Sequence, residues 1–185
     1  MLELLLKVGA ILEGHFLLSS GKHSSKYIQC AKIFEYPEYG EKIGKAIAEK
    51  IAHHKPTVVI GPALGGVILA YEVARQLGTR AMFTERENGT MKLRREFHIE
   101  TGERVAIVED VTTTGKSVLE VIQVVEEHGG KVCCIASIVD RSIEKLPFDV
   151  SFYSLAKLQL PIYEPDNCPL CERNVPLVKP GSRKS

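Results

Sequence analysis

Val105-Ala106-Ile107-Val108-Glu109-Asp110-Val111-Thr112-Thr113-Thr114-Gly115-Lys116-Ser117 is the stretch on which the fold turns. It opens as an apolar, buried-type strand and closes on two carboxylates. A hydroxyl-rich turn then leads into helical periodicity, with Val118, Val121, Ile122 and Val125 on one face before Gly129-Gly130. The two halves ask different things of a ligand. Amides and hydroxyls in a turn before a helix suit a phosphate. Paired carboxylates repel a phosphate and suit a diol or a metal ion. A ligand that satisfies both carries a phosphate and a ribose side by side.

Working outward, the same alternation repeats. Thr57 to Ile60 reads as a short buried strand, broken by Gly61-Pro62-Ala63-Leu64-Gly65-Gly66 and followed by a helix from Val67 to Leu77. Arg80 to Thr84 and Val132 to Val139 read as further strands, and Gly40 to Ala52 as a helix with Ile43, Ala46, Ile47 and Ile51 at helical spacing. The strands are continuously apolar, as expected when both faces of a sheet are covered. The fold class is therefore α/β, an open, mostly parallel sheet flanked by helices, with ligands expected at the carboxyl ends of the strands. Residues 2–12 are expected to form an amphipathic helix, and Gly14 to Ser25 a polar, turn-rich segment.

The bulk composition narrows the class. A chain of 185 residues is one domain with a real core. Lys plus Arg is 24 against 23 for Asp plus Glu, so no basic field exists to drive nucleic-acid or membrane-surface binding. No apolar run approaches the roughly 18 residues that cross a membrane. The start carries an early Glu3 and no basic leader, so no signal peptide is expected. Five cysteines without framework spacing point to a reducing, cytoplasmic setting.

Two simpler readings of the central motif fail on chemistry. Gly115-Lys116-Ser117 resembles the end of a P-loop, but that motif needs a glycine at position 110, where Asp110 would oppose a triphosphate. Plain strand-ending and helix-capping would require neither two acids nor three threonines. What remains places the turn from Thr112 to Ser117 on a monophosphate. Glu109 and Asp110 then fall on ribose hydroxyls, directly or through Mg²⁺-bound waters.

The segment resembles the phosphoribosyl-pyrophosphate (PRPP) motif of the type I phosphoribosyltransferases. The wider match is to the orotate-specific branch of that family. It runs through Phe16-Leu17-Leu18-Ser19-Ser20-Gly21-Lys22-His23-Ser24, the loop Gly61 to Gly66, the central motif and Val139-Asp140-Arg141-Ser142. The resemblance implies transfer of the 5-phosphoribosyl group of PRPP to orotate, with Mg²⁺ as cofactor, in pyrimidine biosynthesis. It implies a homodimer with shared sites. Glu109, Asp110, Val111, Thr112, Thr113, Thr114, Gly115, Lys116 and Ser117, with Arg86, would bind PRPP. Thr113 and Arg141 would bind orotate, whose carboxylate a guanidinium matches bidentately. Arg86, Lys92 and Asp110 would carry catalysis. A hood from about residues 1–35 and 155–178 would cover the base, with 179–185 as a flexible tail. A phosphoribosyltransferase for purines or another base, or a PRPP-binding regulator, are the alternatives.

The chain also departs from the family's pattern. Where many relatives carry a lysine in the loop of residues 61–66, this chain has Leu64 or Gly65, and where they carry one before Ser-Gly it has Ser19, leaving Lys22 or Lys26 as substitutes. Residues 85–104 hold the hairpin signal Asn88-Gly89 and the cations Arg86, Lys92, Arg94 and Arg95. They read as a flap that brings charge over the leaving pyrophosphate and excludes water. Arg86 is the best match to the family's loop arginine, and His98 stays unmatched. Cys168-Pro169-Leu170-Cys171 is a lone CxxC with no second pair or close His pair after it. It is expected to be a structural turn, the other reading being a metal site completed by another chain or by Cys30.

Overall fold

A computed structural model describes residues 1–18 and 20–180. Its main sheet contains β3 (Val58–Pro62), β4 (Arg80–Glu87), β5 (Thr90–Leu93), β6 (Arg104–Thr112), β7 (Lys131–Asp140) and β8 (Phe152–Lys157), in the spatial order β5-β4-β3-β6-β7-β8. All neighbours are parallel except the β4–β5 pair. The α/β class and the mostly parallel sheet are as expected from the apolar runs.

Alternation within those runs divides the core in two. Val59, Ala106, Val108, Ala136 and Ile138 face one side, with α1 (Leu2–Lys7), α2 (Pro37–Ile51) and α3 (Gly65–Leu77) packed over them. Val58, Ile60, Val105, Ile107 and Ile135 face the other, under α4 (Lys116–Glu127). Successive side chains of a strand point to opposite faces, so an uninterrupted apolar run is what two covered faces require. Val58, Val59 and Ile60 are all fully buried.

The N-terminal expectation needs correction. The helix stops at Lys7, and β1 (Ile11–Leu17) pairs antiparallel with β2 (His23–Ile28) as a separate two-stranded sheet. Gly9, at φ +66, turns the chain between α1 and β1. The polar segment from Gly14 to Ser25 is thus mostly hairpin, because Phe16, His23 and Ser24 are buried where the chain after β8 returns. That closing segment bridges back through Phe16 to Val178 and His23 to Tyr163. Leu5, Val8, Ala10 and Ile28 belong to the main core, and β8 runs to Lys157; the hood consists of the β1–β2 hairpin and the segment after β8, which these bridges join. Of the expected tail, Lys179 and Pro180 line a cavity under the hood, and residues 181–185 lie outside the described residues.

The hairpin signal at Asn88-Gly89 is realised between β4 and β5. Both residues have positive φ, 51° and 83°, as a type I′ turn demands.

Candidate active site

The carboxyl ends of β3, β6 and β7 meet at one edge of the sheet and bring the motifs together. β6 lies between β3 and β7; its pairing with β3 ends at Ile107, and Glu109 pairs on the other side with Ser137 of β7, so the acids lie past the end of the β3 pairing. Arg141, just beyond β7, donates its backbone N–H to the Thr112 carbonyl at 2.7 Å. Asp140 accepts the Ser142 amide at 2.8 Å, which fixes the turn that presents Arg141.

A cavity of about 180 Å³ is lined by Glu109, Val111 and the run from Thr112 to Val118. Its floor is the start of α4, whose first-turn amides have no partners within the helix. Gly115 makes the entry possible. Its φ is +79°, and a Cβ there would stand 2.8 Å from the Phe148 ring. Thr112, expected in the turn, is instead the last residue of β6, and its buried Oγ1 has no partner among the described residues.

A second cavity of about 340 Å³ adjoins it under the hood. Asp110, Val111, Thr113, Thr114 and Arg141 form one wall, and Leu17, Leu18, Tyr27, Ile28 and Ile162 the other. Arg141 is 8 % exposed, its Nε has no hydrogen-bond partner, and no carboxylate among the described residues pairs with it. Burial pulls its guanidinium below the usual arginine range. Burial also raises the Tyr27 hydroxyl, and Asp110 adds to the rise. An isolated buried cation is costly unless a ligand compensates it. Tyr27 and Ile162 went unread in the sequence because nothing local marks them; only the hairpin and the returning chain bring them to the cavity.

The two acids are unequal. Glu109 is buried, and burial, with repulsion from Asp110 second, pushes its carboxyl well above the ordinary carboxylate range. Asp110 accepts the Val111 amide at 2.7 Å. A Cβ on Gly65 would meet the Asp110 carboxylate at 2.6–2.7 Å, so the loop after β3 closes against that acid only because residue 65 is glycine.

A pH prediction follows from Glu109. The folded chain holds this proton more tightly than the unfolded chain. No penalty exists below the unfolded pKa, and stability falls as pH rises from there towards the higher folded pKa. Glu109→Gln should abolish that fall and raise the Tm at pH 7 by several degrees, at about 2–4 °C per kcal/mol for a chain of this size. Melting at pH 4 should be nearly unchanged. Parallel Tm–pH curves for the two proteins would refute the assignment.

The flap cations lie elsewhere. Arg86 pairs with Glu120 on α4 and donates to the Gly89 carbonyl at 3.0 Å. Lys92 pairs with Glu87 at 2.7 Å, Arg94 with Glu87 at 3.3 Å and Arg95 with Glu85 at 2.9 Å. Neither Arg86 nor Lys92 is among the described residues lining the two cavities. Of the substitute lysines, Lys22 pairs with Glu164 at 2.5 Å and Lys26 with Glu13 at 3.1 Å. Ser19 lies outside the described residues.

Comparison with known proteins supplies the remaining observation. Residues 30–170 match the phosphoribosyl transferase domain family. Orotate phosphoribosyltransferase of Thermotoga maritima is 57% identical over 181 residues, covering 98% of this chain and 97% of the relative. The enzyme of that name from Caldanaerobacter subterraneus is 59% identical over 184 residues, covering 100% and 97%.

The chain belongs to the orotate phosphoribosyltransferase family.

A crystal structure of orotate phosphoribosyltransferase from Aeropyrum pernix superposes with a TM-score of 0.72 at 29% identity, covering 85% of this chain and 94% of that one. Within this family framework, the turn from Thr113 to Ser117, the acid pair and Arg141 line two adjoining cavities, while Arg86 and Lys92 line neither.

Proposed function

We propose that the chain transfers the 5-phosphoribosyl group of PRPP to N1 of orotate, giving orotidine 5′-phosphate and pyrophosphate for pyrimidine biosynthesis. The observation that carries this reading is the buried, unpartnered Arg141 guanidinium, on the same cavity wall as Asp110. A carboxylated base satisfies it. A purine carries no carboxylate and would leave the charge buried and alone, which disfavours the purine alternative.

In this reading the turn from Thr113 to Ser117 and the start of α4 hold the 5′-phosphate. Glu109 and Asp110 take the ribose hydroxyls, which fixes C1 of the sugar beneath the hood. Arg141 orients orotate so that N1 faces C1. The bond from C1 to the pyrophosphate oxygen breaks as the C1–N1 bond forms, through an oxocarbenium-like sugar, and the N1 proton passes to the departing pyrophosphate. Catalysis is then mainly positioning and stabilisation of the departing charge.

Mg²⁺ fits the donors present, two adjacent carboxylates, and its charge would offset the burial that raises the Glu109 carboxyl. When bound, Mg²⁺ would neutralise pyrophosphate charge. Arg86 and Lys92 would assist from the β4–β5 hairpin. Their present pairs are exposed and worth about 0–1 kcal/mol each, so a pyrophosphate can compete for them.

A homodimer is supported by an apolar stripe along α3. Leu64, Ile68 and Tyr71, at helical spacing, are 89%, 53% and 62% exposed. Ile68→Asp should convert dimer to monomer in sedimentation equilibrium, and a wild-type monomer would remove the idea. None of the five cysteines is joined in a disulfide, in keeping with a reducing cytoplasm. No helix among the described residues is long and apolar enough to cross a membrane.

The deciding assay follows the fall in orotate absorbance with PRPP and Mg²⁺ supplied. Turnover with another base but none with orotate would overturn the specificity.

A further inference from the structure

We propose that His15, His23, Cys168 and Cys171 form a structural zinc site that fastens the hood. Their ligand atoms all lie within 4.8 Å of one another. His15 Nε2 is 2.9 Å from His23 Nδ1 and 3.4 Å from Cys168 Sγ. Cys171 Sγ is 3.8 Å from His15 Nε2 and 3.3 Å from His23 Nδ1. Bond lengths of about 2.0–2.1 Å to nitrogen and 2.3 Å to sulfur give a zinc tetrahedron edges of roughly 3.3–3.8 Å. The cluster therefore needs adjustments of no more than about 1 Å to close on an ion.

The surroundings have the form of a built site. His15, His23 and Cys168 are buried, and Cys171 is exposed and gives a path for entry. His15 Nδ1–H donates to the Val175 carbonyl at 2.7 Å, which sets the tautomer that leaves Nε2 bare towards the cluster. Two imidazoles and two thiols select zinc over Mg²⁺, which takes oxygen ligands. The CxxC lacked partners in the sequence because its histidines lie far upstream. β1 carries His15 and β2 carries His23, and their antiparallel pairing puts both rings on the face where the chain returns. Cys30, the residue considered as a completing ligand, contacts the Asp110 carbonyl instead.

The site's place in the fold gives it a role outside the chemistry. It joins the β1–β2 hairpin to the short helix α5 (Pro169–Glu172), along a seam already held by His23 N–H to the Tyr163 carbonyl and Ser24 Oγ to the Pro161 carbonyl. Leu17, Tyr27 and Ile162, on either side of that seam, line the base cavity. An ion here fixes the cavity's outer wall without touching the ribose acids or Arg141.

The test uses the full chain, purified without chelator. Atomic emission should find about one zinc per chain, and exchange with Co²⁺ should give thiolate charge-transfer bands with intense tetrahedral d–d bands. Cys171→Ser and His15→Ala should each lower bound zinc at least tenfold, while Cys133→Ser, outside the cluster, should keep it. A strong chelator should lower the Tm of the wild type and leave that of Cys171→Ser unchanged. Metal-free protein that shows no Co²⁺ bands would overturn the site. So would a Cys168–Cys171 disulfide found by mass spectrometry in protein purified under reducing conditions. All these measurements are made without PRPP or orotate, so they stand apart from the assignment of the base.

Discussion

Arg141→Ala is expected to raise the KM for orotate by about 30-fold or more, since truncating a charge-assisted hydrogen-bonding group costs roughly 2–3 kcal/mol or more when its partner is left buried. The KM for PRPP should change little, because Arg141 is not among the residues lining the cavity at the start of α4. Arg141→Lys should rescue only part of the loss: an ammonium keeps the charge but cannot make the bidentate fork. The same change should act in the opposite direction on the free protein. Removing a buried charge that nothing compensates should raise the Tm in the absence of ligand. Steady-state kinetics and a melting curve on one preparation check both halves. A variant with unaltered orotate KM, or one that is less stable when unliganded, would show that Arg141 is a framework residue.

Gly65→Ala and Asp110→Ala form the second large test. Asp110→Ala removes a group that takes a ribose hydroxyl in the proposed reading and should lower kcat/KM for PRPP by about 10²–10³-fold. Gly65→Ala adds one methyl group, yet its Cβ would overlap the Asp110 carboxylate at 2.6–2.7 Å, so either the loop or the acid must leave its position. A loss of similar order is expected from a residue with no side-chain chemistry of its own. The double variant should be little worse than Asp110→Ala alone, because the two changes act through one contact. Strict additivity of the two losses would mean that the loop after β3 works independently of Asp110.

The parts of this architecture that were legible in the sequence are those in which neighbours along the chain are also neighbours in function. The run from Val105 to Val108 reads as a doubly covered strand because each of its residues is fully buried. The turn from Thr113 to Ser117 reads as a phosphate site because its donors are consecutive. Asn88-Gly89 reads as a hairpin because its two backbone angles demand those residues. The hood resisted reading for the opposite reason. His15, His23 and Ser24 look like residues of a polar surface turn, and only chain returning more than a hundred residues later buries them. The flap cations were readable as charges but not as partners, since Glu120, which holds Arg86, sits on a different element.

That same return of the chain sets an order of assembly. The hood joins residues near position 15 to residues near 170, a separation of 153 between His15 and Cys168. Closing so long a loop from an unfolded chain carries the full loop-closure entropy, and it becomes easy only after the sheet between has drawn the ends together. The PRPP turn is local and should form with the sheet, whereas the base cavity should form last and open first. Native-state hydrogen exchange should show this as a separate, lower-energy opening. The amides of His23, Tyr163 and Val178 should exchange together and well before those of Val59 and Ile107 in the buried strands.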